Sequence, residues 1–120
     1  MKFILDACRG AAIVLLAIAV LAPCIPSAQA QSRRAECLLF VEGQEIFSGT
    51  CMFSPLGRDG SFEIMSMNGS SFAQVHVDRP GVARGYWNGG QYQSHAHGNQ
   101  GILTRKEACW SNRTASVCAW

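Results

Sequence analysis

Apolar and polar side chains alternate most clearly over Phe72-Ala73-Gln74-Val75-His76-Val77-Asp78. Ala73, Val75 and Val77 fall on one face, and Gln74, His76 and Asp78 on the other. A period of two belongs to a strand with one buried face. Phe62, Ile64 and Met65 mark an earlier strand, and Val82-Ala83-Arg84-Gly85-Tyr86-Trp87 a later one. The later strand runs into Asn88-Gly89, a strong hairpin signal, which predicts Gln91 to His97 as its partner. Ile102 to Arg105 forms another short run. Turn-forming clusters recur at Glu42-Gly43, Pro55 to Gly60, Asn68-Gly69, Arg79-Pro80-Gly81, Gly98 to Gly101 and Asn112-Arg113. No stretch beyond residue 30 keeps a 3.6 period for ten residues. The pattern predicts an all-β fold, a small antiparallel barrel or sandwich of seven to eight strands.

The one long apolar run lies outside this pattern. Residues 11 to 22 carry no charge and follow Lys2 and Arg9, while Pro23 and Pro26 break the run before Ala28-Gln29-Ala30. A basic start, a short apolar centre and small residues at the cleavage site describe a secretory signal peptide over 1–30. The run is shorter than the roughly 20 residues that span a bilayer, so no membrane span is expected in the mature form. A rival reading takes Leu21-Ala22-Pro23-Cys24 as a lipidation box, with Pro23 in place of the usual small residue. With cleavage after Ala30, one β-domain over 31–120 remains, exported to the periplasm.

Export gives the cysteines their meaning. Cys37, Cys51, Cys109 and Cys118 remain after cleavage, and an even number in a short exported chain predicts two disulfides. A hairpin centred on Gln44 sets residue 37 opposite 51, and a turn at Arg113-Thr114 sets 109 opposite 118. The favoured pairing is therefore Cys37–Cys51 with Cys109–Cys118. A Cys37–Cys118 bridge tying the ends together is the alternative. An oxidising compartment argues against a four-thiolate zinc site.

Composition narrows the functional classes. The chain is 48% hydrophobic and 15% charged with net charge +2, too apolar for a disordered tail. The mature part carries eight Lys and Arg against seven Asp and Glu. That balance gives no dense cationic face for nucleic acid. An enzyme is not expected: paired cysteines cannot act as nucleophiles, Ser94 and His95 are strand neighbours that point apart, and the acids are scattered. His95-Ala96-His97 on a strand would share a face, and His76 would supply a third ligand if its strand lay alongside. Without carboxylates nearby they read instead as hydrogen-bonding groups, and no metal or cofactor is expected. Tyr86-Trp87-Asn88-Gly89-Gly90 and Tyr92 gather aromatics at a predicted hairpin tip, the composition of a binding surface. For Trp87 alone, a place in the core is as good an expectation. Trp110 and Trp120, flanking the terminal cysteine pair, are expected as core plugs. Asn68-Gly69-Ser70 and Asn112-Arg113-Thr114 are formal glycosylation acceptors, meaningful only in a eukaryotic secretory route.

Cys37, Gly49-Thr50-Cys51-Met52-Phe53, Gly85-Tyr86-Trp87-Asn88-Gly89, Ser94-His95-Ala96-His97 and Ala108-Cys109-Trp110 together form a frame. That frame resembles small exported proteins of alphaproteobacteria, among them periplasmic inhibitors of c-type lysozyme. The resemblance spans nearly all of 31–120 and implies a disulfide-held β-barrel or sandwich. It also implies a loop that enters the lysozyme cleft and protects peptidoglycan. The membrane-bound inhibitors of that group carry a Ser-Gly-Ala-rich loop followed by an aromatic and a lysine. This sequence departs from them: that loop is not found, and Asn68-Gly69-Ser70-Ser71 is only a faint analogue. A cleft holding an acid and a carboxylate calls for donors. The candidates for partner binding are Ser70, Ser71, Arg79, Arg84, Ser94, His95 and His97, with Tyr86, Trp87 and Asn88 at the rim. Lysozymes are basic, so local acids such as Asp59, Glu63 and Asp78 would have to supply the attraction. The alternative is a periplasmic structural or small-ligand module, metal-binding through His95 and His97. A hydrolase is a third and more remote reading.

Overall fold

The structure, a computed structural model, describes residues 31–120. The signal peptide expected over 1–30, and the lipidation alternative at Cys24, lie outside the described residues. Eight strands follow one another: β1 (Arg33–Val41), β2 (Gln44–Pro55), β3 (Phe62–Ser66), β4 (Phe72–Arg79), β5 (Val82–Trp87), β6 (Gly98–Lys106), β7 (Cys109–Ser111) and β8 (Ala115–Ala119). Each pairs antiparallel with the next, and β1 pairs with β8 to close the barrel. Closure removes the exposed sheet edges that a domain this small has little surface to cover. No helix among the described residues is long and apolar enough to cross a membrane.

Alternation decides what fills the barrel. Leu39, Ile64, Val75, Leu103 and Val117 are fully buried, with Ala35, Ala73, Ala83 and Ala115 among them. Mixing small and large inward side chains is how a narrow barrel is filled. Phe53 stacks on Phe62 at 5.1 Å between ring centroids. Trp110 is buried as a core plug; Trp120, beyond β8, is exposed and does not plug the core.

Both expected disulfides are present, Cys37–Cys51 and Cys109–Cys118. In the second, the two cysteines face each other as the spacing predicts. In the first they do not. The turn is the two residues Glu42-Gly43, both at positive φ (49° and 83°), so Val41 pairs with Gln44 and not with residue 47. A bulge between Leu39 and Phe40 then sets Cys37 opposite Gly49 and Ala35 opposite Cys51. The bond runs diagonally between inward neighbours inside the barrel, where both cysteines are buried. A two-residue turn with positive φ at both positions matches strand twist and overrides a longer symmetrical loop.

The expected hairpin at Asn88-Gly89 is also absent. The partner of β5 is β6, and residues 88–97, including His95-Ala96-His97, form a loop. The cause lies in the Asn88 side chain, which turns inward instead of shaping a tight turn.

Candidate functional site

In an up-and-down barrel alternate connections share an end. The β1–β2, β3–β4, β5–β6 and β7–β8 connections lie together, and the ten-residue β5–β6 loop is the longest of them. This loop end gathers Ser70, Ser71, Trp87, Asn88, Ser94, His95 and His97. It does not include the other three predicted residues. Arg84 and Tyr86 point outward from the wall of β5. Arg84 pairs there with Asp78 at 3.0 Å, and Tyr86 meets the edge of the His76 ring at 5.8 Å. Arg79 sits at the opposite end, where β4 stops.

Asn88 builds the base of the loop end. It is 1% exposed. Its Oδ1 accepts the Phe72 N–H at 3.1 Å, while its Nδ2 donates to the carbonyls of Ser70 (3.0 Å), Gly90 (2.8 Å) and Gln93 (3.1 Å). Its own N–H donates to Phe72 O. The Tyr92 N–H adds a bond to Ser70 O at 2.7 Å. One buried carboxamide thus fastens the 88–97 loop to the β3–β4 turn. Ser70 and Ser71 are buried in that turn: the Ser71 N–H donates to Ser66 Oγ, and Ser66 Oγ donates to Asn68 Oδ1. Asn88, Ser70 and Ser71, predicted at the contact surface, therefore act on the loop from beneath. Buried polar groups in a satisfied network hold one geometry.

The surface above this base is supplied by Tyr92, which is 68% exposed at a φ of 59°, together with Ser94, His95 and His97. The Ser94 hydroxyl lies 3.2 Å from His95 Nδ1, and the two imidazoles are 5.3 Å apart. His76 is not with them. It belongs to the outer wall of β4, where its Nε2 meets Gln74 Oε1 and Gln74 donates to Glu63. Among the described residues no three His, Cys, Asp or Glu side chains converge as metal ligands.

Charge is divided between the two ends. Arg33, Arg34, Arg58, Arg79, Arg105 and Lys106 lie at the far end together with Glu107, while the loop end carries Glu42, Glu45 and Arg113. Asp59, Glu63 and Asp78, named from the sequence as a partner's attraction, lie towards the far end as well. The Ser61 N–H, 2.9 Å away, and its hydroxyl hold the Asp59 carboxyl below its ordinary value.

Two cavities flank Trp87 at the loop end. One, of about 260 Å³, is bordered by Val41, Glu42, Gly98, Gln100 and Ala115. The other, of about 290 Å³, lies between Ile46, Ser70, Ser71 and Gly90. Gln100 was not legible in the sequence: alternation back from Leu103 turns Gly101 inward and Gln100 outward. A bulge opposite Gly85 and Tyr86 reverses that, and Gln100 is buried. No protein-family model, curated protein or solved structure matches the chain.

Proposed function

We propose that the protein binds and inhibits a c-type lysozyme, laying the 88–97 loop into the active-site cleft and so protecting peptidoglycan. The observation that carries this reading is the exposed 88–97 loop clamped from below by the buried Asn88. A loop already ordered before binding loses little freedom on docking, which favours affinity. Ser94, His95 and His97 bring donors for a cleft that holds a carboxylic acid and a carboxylate. Tyr92 brings an aromatic face that fits a sugar-binding rim. Glu42 and Glu45, against Arg113 at the same end, leave the loop end slightly acidic, which suits a cationic partner better than the net charge does. Export and the disulfides suit an inhibitor that meets its target outside the cytoplasm.

The test is a cell-wall lysis assay with the purified mature protein in stoichiometric excess over a c-type lysozyme. Slowed lysis is the expected result. Undiminished lysis ends the proposal.

A further inference from the structure

Gln100 is 8% exposed, and neither polar atom of its carboxamide has a hydrogen-bond partner among the described residues. Almost every other buried polar side chain at this end is tied into the Asn88 and Ser66 networks. A buried carboxamide left unpaired is a standing cost that a leucine of similar size would not carry. The backbone is also shaped around it. The bulge that turns Gln100 inward is held from outside by Asn112, whose Nδ2 donates to the carbonyls of Gln100 (2.8 Å) and Ile102 (3.0 Å). Gly85 makes the room within: a Cβ there would stand 2.9 Å from Gln100 Oε1.

The half-buried Trp87 indole borders the same space. A Cβ on Gly98 would stand 2.5 Å from both Cδ1 and Nε1 of Trp87, so the indole lies against bare backbone. Trp87 and Gln100 both border the cavity of about 260 Å³, with Val41 and Ala115 facing them. That volume is below the roughly 300–1,000 Å³ of sites for drug-sized molecules. Glu42 is the one ionisable side chain on its border, which disfavours anions.

We infer that this cavity binds a compact neutral molecule carrying a secondary amide beside a flat C–H face. An amide offers one donor and one acceptor, the complement of the Gln100 carboxamide. The flat face would lie on the Trp87 indole, as sugar rings and small side chains do on aromatics. Since both polar atoms of Gln100 are closed off from solvent, binding must turn its terminal amide towards the cavity. The inference is independent of the lysozyme reading and stands or falls separately.

An N-acetylated sugar and a peptide both meet this description. The experiment titrates the mature protein with N-acetylglucosamine, with N-acetylalaninamide and with glucose. It follows the Gln100 side-chain amide and the Trp87 indole N–H by nuclear magnetic resonance. At least one of the two amides should shift both signals, and glucose should bind at least tenfold more weakly. Which amide binds distinguishes sugar from peptide. Gln100→Leu should lose at least tenfold in affinity with Tm unchanged or raised. Trp87→Phe, which keeps the ring's place, should bind more weakly while Gln100 still responds. The inference is overturned if neither amide shifts these signals at tens of millimolar. It is equally overturned if glucose binds as well, or if Gln100→Leu binds as the parent does.

Discussion

The Asn88 Nδ2 reaches the Ser70 carbonyl, 18 residues earlier in the chain, at 3.0 Å. That bond joins the β3–β4 turn to the β5–β6 loop, and the same side chain closes three more bonds around it. Replacing Asn88 by alanine strands one buried N–H and withdraws the donor from three carbonyls. A stability loss of about 2–4 kcal/mol is expected, since buried groups left unpaired cost about 1–3 kcal/mol each and part of the loop can reach water. Chemical denaturation measures the loss. Hydrogen exchange should show amides of 88–97 opening faster while those of β1 and β2 keep their protection relative to global stability. Uniform loosening of the whole barrel would contradict the clamp.

Gly85 gives a second prediction. A methyl group there meets Leu103 Cδ1 at 2.6 Å and Gln100 Oε1 at 2.9 Å. Gly85→Ala should destabilise by about 1–3 kcal/mol through overpacking. In a Gln100→Ala background the cost should shrink without vanishing, because Leu103 remains. Equal costs in both backgrounds would show that Gln100 does not occupy that space.

The alternation of β4 and the span of β5 are readable from the sequence because each has one face in the barrel and one in solvent, which leaves a clean period of two. The disulfide pairing is readable for a related reason: hairpin neighbours stay near one another through small register errors, so Cys37 and Cys51 still meet although they are not opposite. What alternation cannot show is where it breaks. The bulges at Leu39/Phe40 and beside Gly85 each insert one residue and reverse a face. Gln100 was hidden by the second of these. Asn88-Gly89 misled for a different reason. A turn dipeptide reports only local preference, and here the asparagine makes better bonds to Phe72, Ser70 and Gln93 than a tight turn offers. The binding candidates shared that fate in part. Exposure separated Tyr92, His95 and His97 from Asn88, Ser70 and Ser71, and no spacing rule carries exposure within a loop.

The two disulfides should differ in worth. Cys37 and Cys51 are 14 residues apart and both lie in the core; Cys109 and Cys118 are 9 apart, with Cys109 partly exposed. Replacing Cys37 and Cys51 together by alanine removes cross-linking and packing at once, for an expected loss of about 4–5 kcal/mol. The same change at Cys109 and Cys118 should cost about 2–3 kcal/mol. Denaturant midpoints of the two double variants, compared in one buffer, check the order.

Asp59 predicts a pH effect of definite sign. Its folded-state carboxyl is held below the ordinary aspartate value by the Ser61 N–H and hydroxyl. The unfolded chain therefore binds the proton first as pH falls. The stabilisation from Asp59 is present well above the ordinary carboxylate range and is lost as pH drops through the lower folded-state value. Asp59→Asn keeps an acceptor for the Ser61 N–H but does not titrate. Below pH 4, thermal denaturation should show a shallower fall of Tm in that variant than in the parent. An unchanged slope would exclude Asp59 as a contributor.

The division of the barrel into two ends sets the last prediction. If the loop end meets a c-type lysozyme, Tyr92→Ala removes the most exposed aromatic of that surface and touches none of the Asn88 side-chain bonds. An aromatic at the centre of an interface is worth about 2 kcal/mol or more, so Kd should rise at least about 30-fold with Tm unchanged. Arg79→Ala, at the far end, should leave Kd where it was. Glu42→Gln with Glu45→Gln should act on another parameter. Removing two rim acids slows association with a basic partner and flattens its salt dependence, with little effect on dissociation. Surface plasmon resonance at two ionic strengths separates these. Should Arg79→Ala weaken binding more than Tyr92→Ala, the contact belongs to the opposite mouth of the barrel, and the 88–97 loop is not the inhibitory element.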